Sequence, residues 1–219
     1  MNKINKGLRR GLGRYMALGV LLLATALGAS AQIKPSELMQ RAERALYGVG
    51  SSMADFTSVY YDHKGQEQSS VKGRITLQGE SFRLEYGAIT AVYANGTLTY
   101  YNAEEATLTL SQPTQEELLQ INPLHFLRSR GKGYKVETLP ASKSTEILGF
   151  TPKTKSEMQQ LEVSFLRSSS VPHEAVVIGK DGSRLVVRIA DLKHQSAQPA
   201  GYFALTAKQF PGCEVVDMR

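Results

Sequence analysis

Between residues 71 and 101 apolar and polar side chains alternate with a period of two, which restricts the possible folds more than any other stretch. Val71, Gly73, Ile75 and Leu77 alternate with Lys72, Arg74, Thr76 and Gln78, and Phe82, Leu84 and Tyr86 alternate with Arg83 and Glu85. Successive side chains of a strand point to opposite faces, so this spacing gives strands with one apolar and one wet face, the signature of an antiparallel sheet. Asn95-Gly96 then sits between Ala91-Val92-Tyr93 and the run Thr97 to Tyr101. Asn-Gly flanked by strand residues is the strongest short hairpin signal.

Further strands are expected at residues 56–61, 107–110, 134–139, 147–151, 161–166, 175–178 and 185–189, with a second tight hairpin at Asp181-Gly182. Before them, Leu38, Ala42, Ala45, Leu46 and Val49 recur at helical spacing over residues 34–49, with Pro35 suited to a first helical turn. Two short helices interrupt the strands in the middle of the chain. Thr114 and Glu117 stand at capping-box spacing before Leu118, Leu119 and Ile121. Asn122-Pro123 breaks this helix, because the residue before proline avoids the helical region. Leu124, Phe126 and Leu127 then resume it until Gly131 and Gly133. The fold class is therefore mainly β with short helices (α+β).

The amino terminus follows the secretory pattern. Lys3, Lys6, Arg9, Arg10 and Arg14 precede an apolar run from Met16 to Leu27, and Ala29-Ser30-Ala31 gives a small-x-small cleavage site before Gln32. The run is about a dozen residues, against the roughly 20 that cross a bilayer as a helix. Residues 1–31 are thus expected to be a cleaved signal peptide and residues 32–219 a single domain outside the cytoplasm, in the periplasm, soluble after cleavage. Five of the 26 basic residues and none of the 20 acidic ones lie in the signal, which leaves 21 against 20. The basic pI of the whole chain belongs mostly to the leader and gives no case for nucleic-acid binding. Cys213 is the one cysteine, so no internal disulfide forms.

Nothing in the sequence points to an enzyme. His63, His125, His173 and His194 are scattered, and His173-Glu174 lacks the second histidine of a metalloprotease motif. There is no Gly-x-Ser-x-Gly elbow and no phosphate loop. No catalytic residue, metal or cofactor is expected.

The order of these pieces resembles the LolA-like outer-membrane lipoprotein carriers over nearly all of residues 34–219. The match rests on Ala54-Asp55-Phe56, on the Gly-x-Ile-x-Leu strand and the Phe82-Arg83-Leu84 that follows it, and on Asn95-Gly96 through Asn102. It extends to Asn122-Pro123-Leu124 with Phe126-Leu127, to Phe150-Thr151-Pro152-Lys153, and to the closing run Pro211 to Arg219. The resemblance implies an incomplete, half β-barrel: a strongly curved antiparallel sheet covered by helices. It also implies that the protein moves lipoproteins from the inner to the outer membrane. The implied partners are acylated lipoproteins, an inner-membrane transporter that releases them and an outer-membrane acceptor where one exists, with the carrier a monomer. The chain departs from the proteobacterial members of the family, which have several tryptophans, in having none. It also carries Leu77-Gln78-Gly79-Glu80-Ser81 where the family has an Arg-Pro pair whose arginine latches the lid helices. A lipid- or lipoprotein-sensing module on the same half-barrel, without transport, is the alternative; such regulators carry a second domain.

The apolar faces suggest which residues do the work. Ile75, Leu77, Phe82, Leu84, Tyr86, Leu98, Tyr100, Leu108 and Leu110 are expected to line a cavity for hydrocarbon. Leu118, Leu119, Leu124, Phe126 and Leu127 either complete an ordinary core or cover that cavity as a lid, and the resemblance favours the lid. The face assignment depends on register, since a slip of one residue reverses it.

Overall fold

In the computed structural model residues 33–219 are described; the expected signal peptide and its Ala31–Gln32 junction lie outside them. After a helix α1 (Pro35–Tyr47), six strands follow in a meander: β1 (Ser51–Tyr61), β2 (Glu67–Gln78), β3 (Ser81–Tyr86), β4 (Ile89–Ala94), β5 (Thr97–Asn102) and β6 (Thr107–Ser111). Helix α2 (Gln115–Ile121), a 3-10 turn (Pro123–His125) and the single-turn α3 (Phe126–Ser129) come next. Strands β7 (Tyr134–Leu139), β8 (Thr145–Pro152), β9 (Met158–Leu166), β10 (Pro172–Gly179) and β11 (Arg184–Gln195) form a second meander, and β12 (Glu214–Asp217) closes the described chain. No helix among the described residues is long and apolar enough to cross a membrane.

All twelve strands belong to one open, curved sheet in the order β12-β6-β5-β4-β3-β2-β1-β11-β10-β9-β8-β7. The two meanders join where β1 pairs with β11, and every neighbour is antiparallel except the edge pair β12–β6, which is parallel. Local chemistry accounts for the turns and caps. Asn95 and Gly96 both take positive φ, as the β4–β5 hairpin requires. Thr114 and Glu117 form the reciprocal capping box at the start of α2.

Register divides the sheet into two faces. The inner face, toward the helices, carries Ile75 opposite Leu84, and Leu84 opposite Ala91. In the second meander the same face carries Leu148 opposite Val163, and Phe150 opposite Leu161. The outer face is crossed by the segment after β11. Gln78 exchanges two hydrogen bonds with the backbone of Gln198. The Tyr202 hydroxyl lies 3.1 Å from Thr76 Oγ1 and the Tyr202 ring lies against Arg83. Phe210 stacks on Tyr101 with centroids 3.7 Å apart. Phe203 and Leu205 are buried in this strap against Val92 and Leu108.

That strap corrects part of the expected cavity. Leu108 pairs with Tyr101 and Leu110 with Thr99, so both point outward, beneath Phe203, Leu205 and Phe210, and neither reaches the inner face. Thr107, Thr109 and Ser111 face inward on β6 instead, a reversal of one residue in the assumed register.

Candidate functional site: an apolar hollow under the broken helix

The inner face is filled on one side and hollow on the other. Across β8–β10, Leu148, Phe150, Leu161, Val163, Phe165 and Ala175 are fully buried, and Phe126 of α3 packs on Phe150 with ring centroids 4.4 Å apart. Across β11, β1, β2 and β3 the same face is incompletely covered. Phe56, Ser58, Tyr86, Val187 and Ile189 remain half-buried there. Between them and the junction of α2 with the 3-10 turn lies a mostly apolar cavity of about 200 Å³.

Ile75 and Leu84 form its floor, with Phe56, Tyr86, Val187 and Ile189 around them; Ile121, Asn122, Pro123 and Leu124 form its roof. Gly73 allows this arrangement. A Cβ there would lie 2.4 Å from Glu85 O and 2.8 Å from Phe56 Cζ, so the Phe56 ring can lie across β2 only because position 73 has no side chain. Burial pushes the Tyr86 hydroxyl above its ordinary pKa, with the neighbouring Tyr100 adding to the effect.

Of the residues expected from the sequence, Ile75, Leu84 and Tyr86 border the cavity and Leu124 roofs it. Leu77 and Phe82 are buried on the same face farther along the strands. There Phe82 stacks on Tyr93, and His125 sits edge-on to both rings. Leu98 and Tyr100 also face inward; Leu98 borders a neighbouring cleft of about 470 Å³ with Ile121 and Met218. Leu118, Leu119, Phe126 and Leu127 are buried beneath the helices. Phe56, Ser58, Val187 and Ile189 were not anticipated. Their alternation within β1 and β11 is visible in the sequence, but only the pairing of the first strand with the eleventh brings them beside β2.

The helices over the inner face are held by polar contacts at their edges. Arg128 on α3 donates to Glu80 in the β2–β3 turn (Nε 3.0 Å, Nη2 2.5 Å) and to Glu43 on α1 (Nη1 3.1 Å). Its guanidinium carbon lies 4.9 Å from the centre of the Tyr47 ring, and Arg130 Nε donates to the second oxygen of Glu43 at 2.8 Å. Glu80 lies in the turn between β2 and β3, so α3 is fastened to the sheet through an acid on the turn and an arginine on the helix. Helix α2 is tied elsewhere: Glu116 Oε1 accepts from the backbone N–H groups of Glu157 and Met158, at 3.0 and 3.2 Å.

A profile of the family described as outer membrane lipoprotein carrier protein LolA matches residues 48–206. An uncharacterized conserved protein from Thermus thermophilus superposes with a TM-score of 0.50 at 14% identity, over 83% of this chain and 97% of the other. A DUF1329 family protein from Desulfovibrio piger gives 0.51 at 10% identity, over 79% and 97%. A LolA superfamily protein from Nitrosomonas europaea gives 0.48 at 11% identity, over 80% and 99%. The first two share the fold. No curated protein matches the chain.

Proposed function

The chain belongs to the outer membrane lipoprotein carrier (LolA) family, and on that premise we propose that it shields the acyl chains of lipoproteins from water outside the cytoplasm and carries them toward the outer membrane. The observation that supports this is the hollow half of the inner face: an apolar cavity roofed by a short, broken helix, beside a half that is filled. In this reading residues 1–31 direct export and are removed before Gln32. Ile75, Leu84, Tyr86, Phe56, Val187 and Ile189 contact hydrocarbon, and α2 with the 3-10 turn is the movable cover.

Energetics favour a mobile cover. Hiding a chain of about sixteen carbons from water is worth on the order of 12 kcal/mol, at roughly 0.8 kcal/mol per methylene. Ligand pockets that enclose a molecule of drug size occupy roughly 300–1,000 Å³, more than the 200 Å³ between roof and floor. The closed form admits a short segment of chain, and a full load requires α2 to lift.

The test is binding of a fluorescent acyl probe and of a palmitoylated peptide to the purified mature protein, together with mass spectrometry of whatever co-purifies. Leu84→Asp puts a charge on the cavity floor and is expected to abolish binding while the protein is still exported. Normal binding by this variant, in a protein shown to be folded, would defeat the cavity assignment.

A further inference from the structure

Asn122 closes the roof of the hollow, and three of its four polar groups are committed. Its backbone N–H donates to Leu118 O at 2.7 Å, and its backbone carbonyl accepts from the His125 N–H at 2.9 Å. Its side-chain Oδ1 accepts from the Leu124 N–H at 3.2 Å, capping the 3-10 turn. That last bond fixes the orientation of the amide, since a backbone N–H needs an acceptor; the other terminal atom is the NH2 group, which only donates. The residue is 2% exposed, and this Nδ2 is buried without a hydrogen-bond partner. Capping does not select an amide here, because aspartate or serine caps as well as asparagine. What asparagine adds is a donor in a residue that borders an otherwise mostly apolar cavity.

Resting on the carrier reading above, the geometry points to Asn122 Nδ2 as a specificity-determining donor for the carbonyl oxygen of an acyl ester or amide. An acylated molecule presents, at one end of its hydrocarbon, a carbonyl that accepts hydrogen bonds and cannot donate them. Nδ2 is covered in the closed form; with the roof lifted and the alkyl tail over Ile75 and Leu84, that carbonyl can meet the unpaired amide. A plain hydrocarbon or an alkyl ether leaves a buried donor unmatched or poorly matched. The site therefore distinguishes acyl from alkyl groups of equal length.

The experiment measures affinity for two matched pairs: a palmitoyl lysophospholipid with its alkyl-ether analogue, and a thioester-palmitoylated peptide with its thioether analogue. The wild-type protein is expected to prefer the carbonyl-bearing member by about tenfold. Asn122→Gly, which loses the donor at little cost to the cap, is expected to remove the preference, and Asn122→Ala to remove it as well, with weaker capping. In the wild type alone, the carbonyl stretch of a 13C-labelled ester should move to lower frequency on binding, relative to the same ester in alkane; this readout does not depend on a variant folding. Preference within the phospholipid pair alone, or the peptide pair alone, supports the donor and identifies which source it serves. Equal binding of ester and ether with an unshifted carbonyl overturns the donor role and leaves the cavity standing. Failure of all four ligands to bind overturns the cavity and the donor together.

Discussion

Removing the Arg128 side chain tests whether α3, the hinge of the cover, is fastened by its edges. Arg128→Ala breaks three contacts of unequal value. The Glu80 carboxylate is 64% exposed, and an exposed pair of this kind is worth about 0.2–1 kcal/mol. The Glu43 side chain is 13% exposed, where a charge-assisted hydrogen bond contributes about 1.5–3 kcal/mol. Part of that loss is offset because Arg130 still reaches the other oxygen of Glu43. The contact with the Tyr47 ring adds about 0.5–1 kcal/mol. Together these give about 2–4 kcal/mol for holding α3 onto α1 and the β2–β3 turn, or about 30- to 700-fold in the ratio of docked to released α3. Hydrogen exchange reads this directly. The amides of Asn122 and Arg130, which bond to Leu118 O and Leu127 O, should lose protection by that factor, while the amides of β9 lose much less. Uptake of an acyl probe should accelerate. Equal loss of protection in β9 and in the helices would mean that Arg128 supports the whole domain and not the cover. Unchanged protection at Asn122 and Arg130 would refute the fastening itself.

Three other perturbations probe separate parts of the argument. Gly73→Ala drives a methyl group into Glu85 O and the Phe56 ring; it should cost about 1–3 kcal/mol in urea unfolding and weaken acyl-probe binding, whereas a neutral result would remove the reason for glycine there. Phe203→Ala empties the outer-face cluster and should cost about 3 kcal/mol without changing probe affinity of the folded protein. A selective loss of binding at unchanged stability would put the strap in the site. Burial holds the His125 imidazole below its ordinary value of 6.5; the Glu80 charge opposes this and the Arg128 charge adds to it. The unfolded chain therefore binds the proton more readily, so the stability of neutral His125 is fully present above 6.5 and is lost as pH falls through that value toward the folded one. Unfolding midpoints against pH should show this slope in the wild type and a shallower one in His125→Phe, which keeps a ring beside Phe82 and Tyr93; identical slopes would contradict it.

Strand positions were legible because alternation is a local property. The meander, the Asn95-Gly96 hairpin, the Thr114 cap and the break at Asn122-Pro123 all follow from neighbours a few residues apart. Most misplacements came from information that is not local. Leu108 and Leu110 alternate on β6 as convincingly as Thr107 and Thr109, and what decides between them is the chain from Tyr202 to Phe210, which crosses the outer face and gives that side a greasy cover. The apolar residues of that segment were visible, but no spacing rule says which face a strap will cover. Phe56 and Ile189 are separated by most of the chain and meet only because β1 pairs with β11. Glu80 and Arg128 stand 48 residues apart. In sequence each reads as an ordinary exposed charge, and no local pattern pairs one with the other.

The division of the inner face also bears on how a load would be held and released. Where α3 lies on Phe150 the packing is dense, so lifting it exposes aromatic surface to water and is costly. Where α2 and the 3-10 turn span the hollow, the roof already leaves space beneath it. Helix α2 is tied by one carboxylate to two backbone amides, contacts of about 0.5–1.5 kcal/mol each when neutral and somewhat more when charged, and by the buried side chains of Leu118 and Leu119, about 1.5–3 kcal/mol each if fully exposed. Opening is therefore cheapest at α2, with α3 as the hinge that Arg128 keeps in place. On the carrier reading, the methylenes of an acyl chain, at roughly 0.8 kcal/mol each, outweigh those contacts once roughly five to eleven carbons have entered, so a long hydrocarbon chain would be sufficient to hold the roof open. Once the chain withdraws, nothing would offset the contacts of Glu116, Leu118 and Leu119, and the cover would return. A ligand shifts such an equilibrium only by its differential affinity for the two forms, and here the differential is the hydrocarbon that the closed hollow is too small to contain.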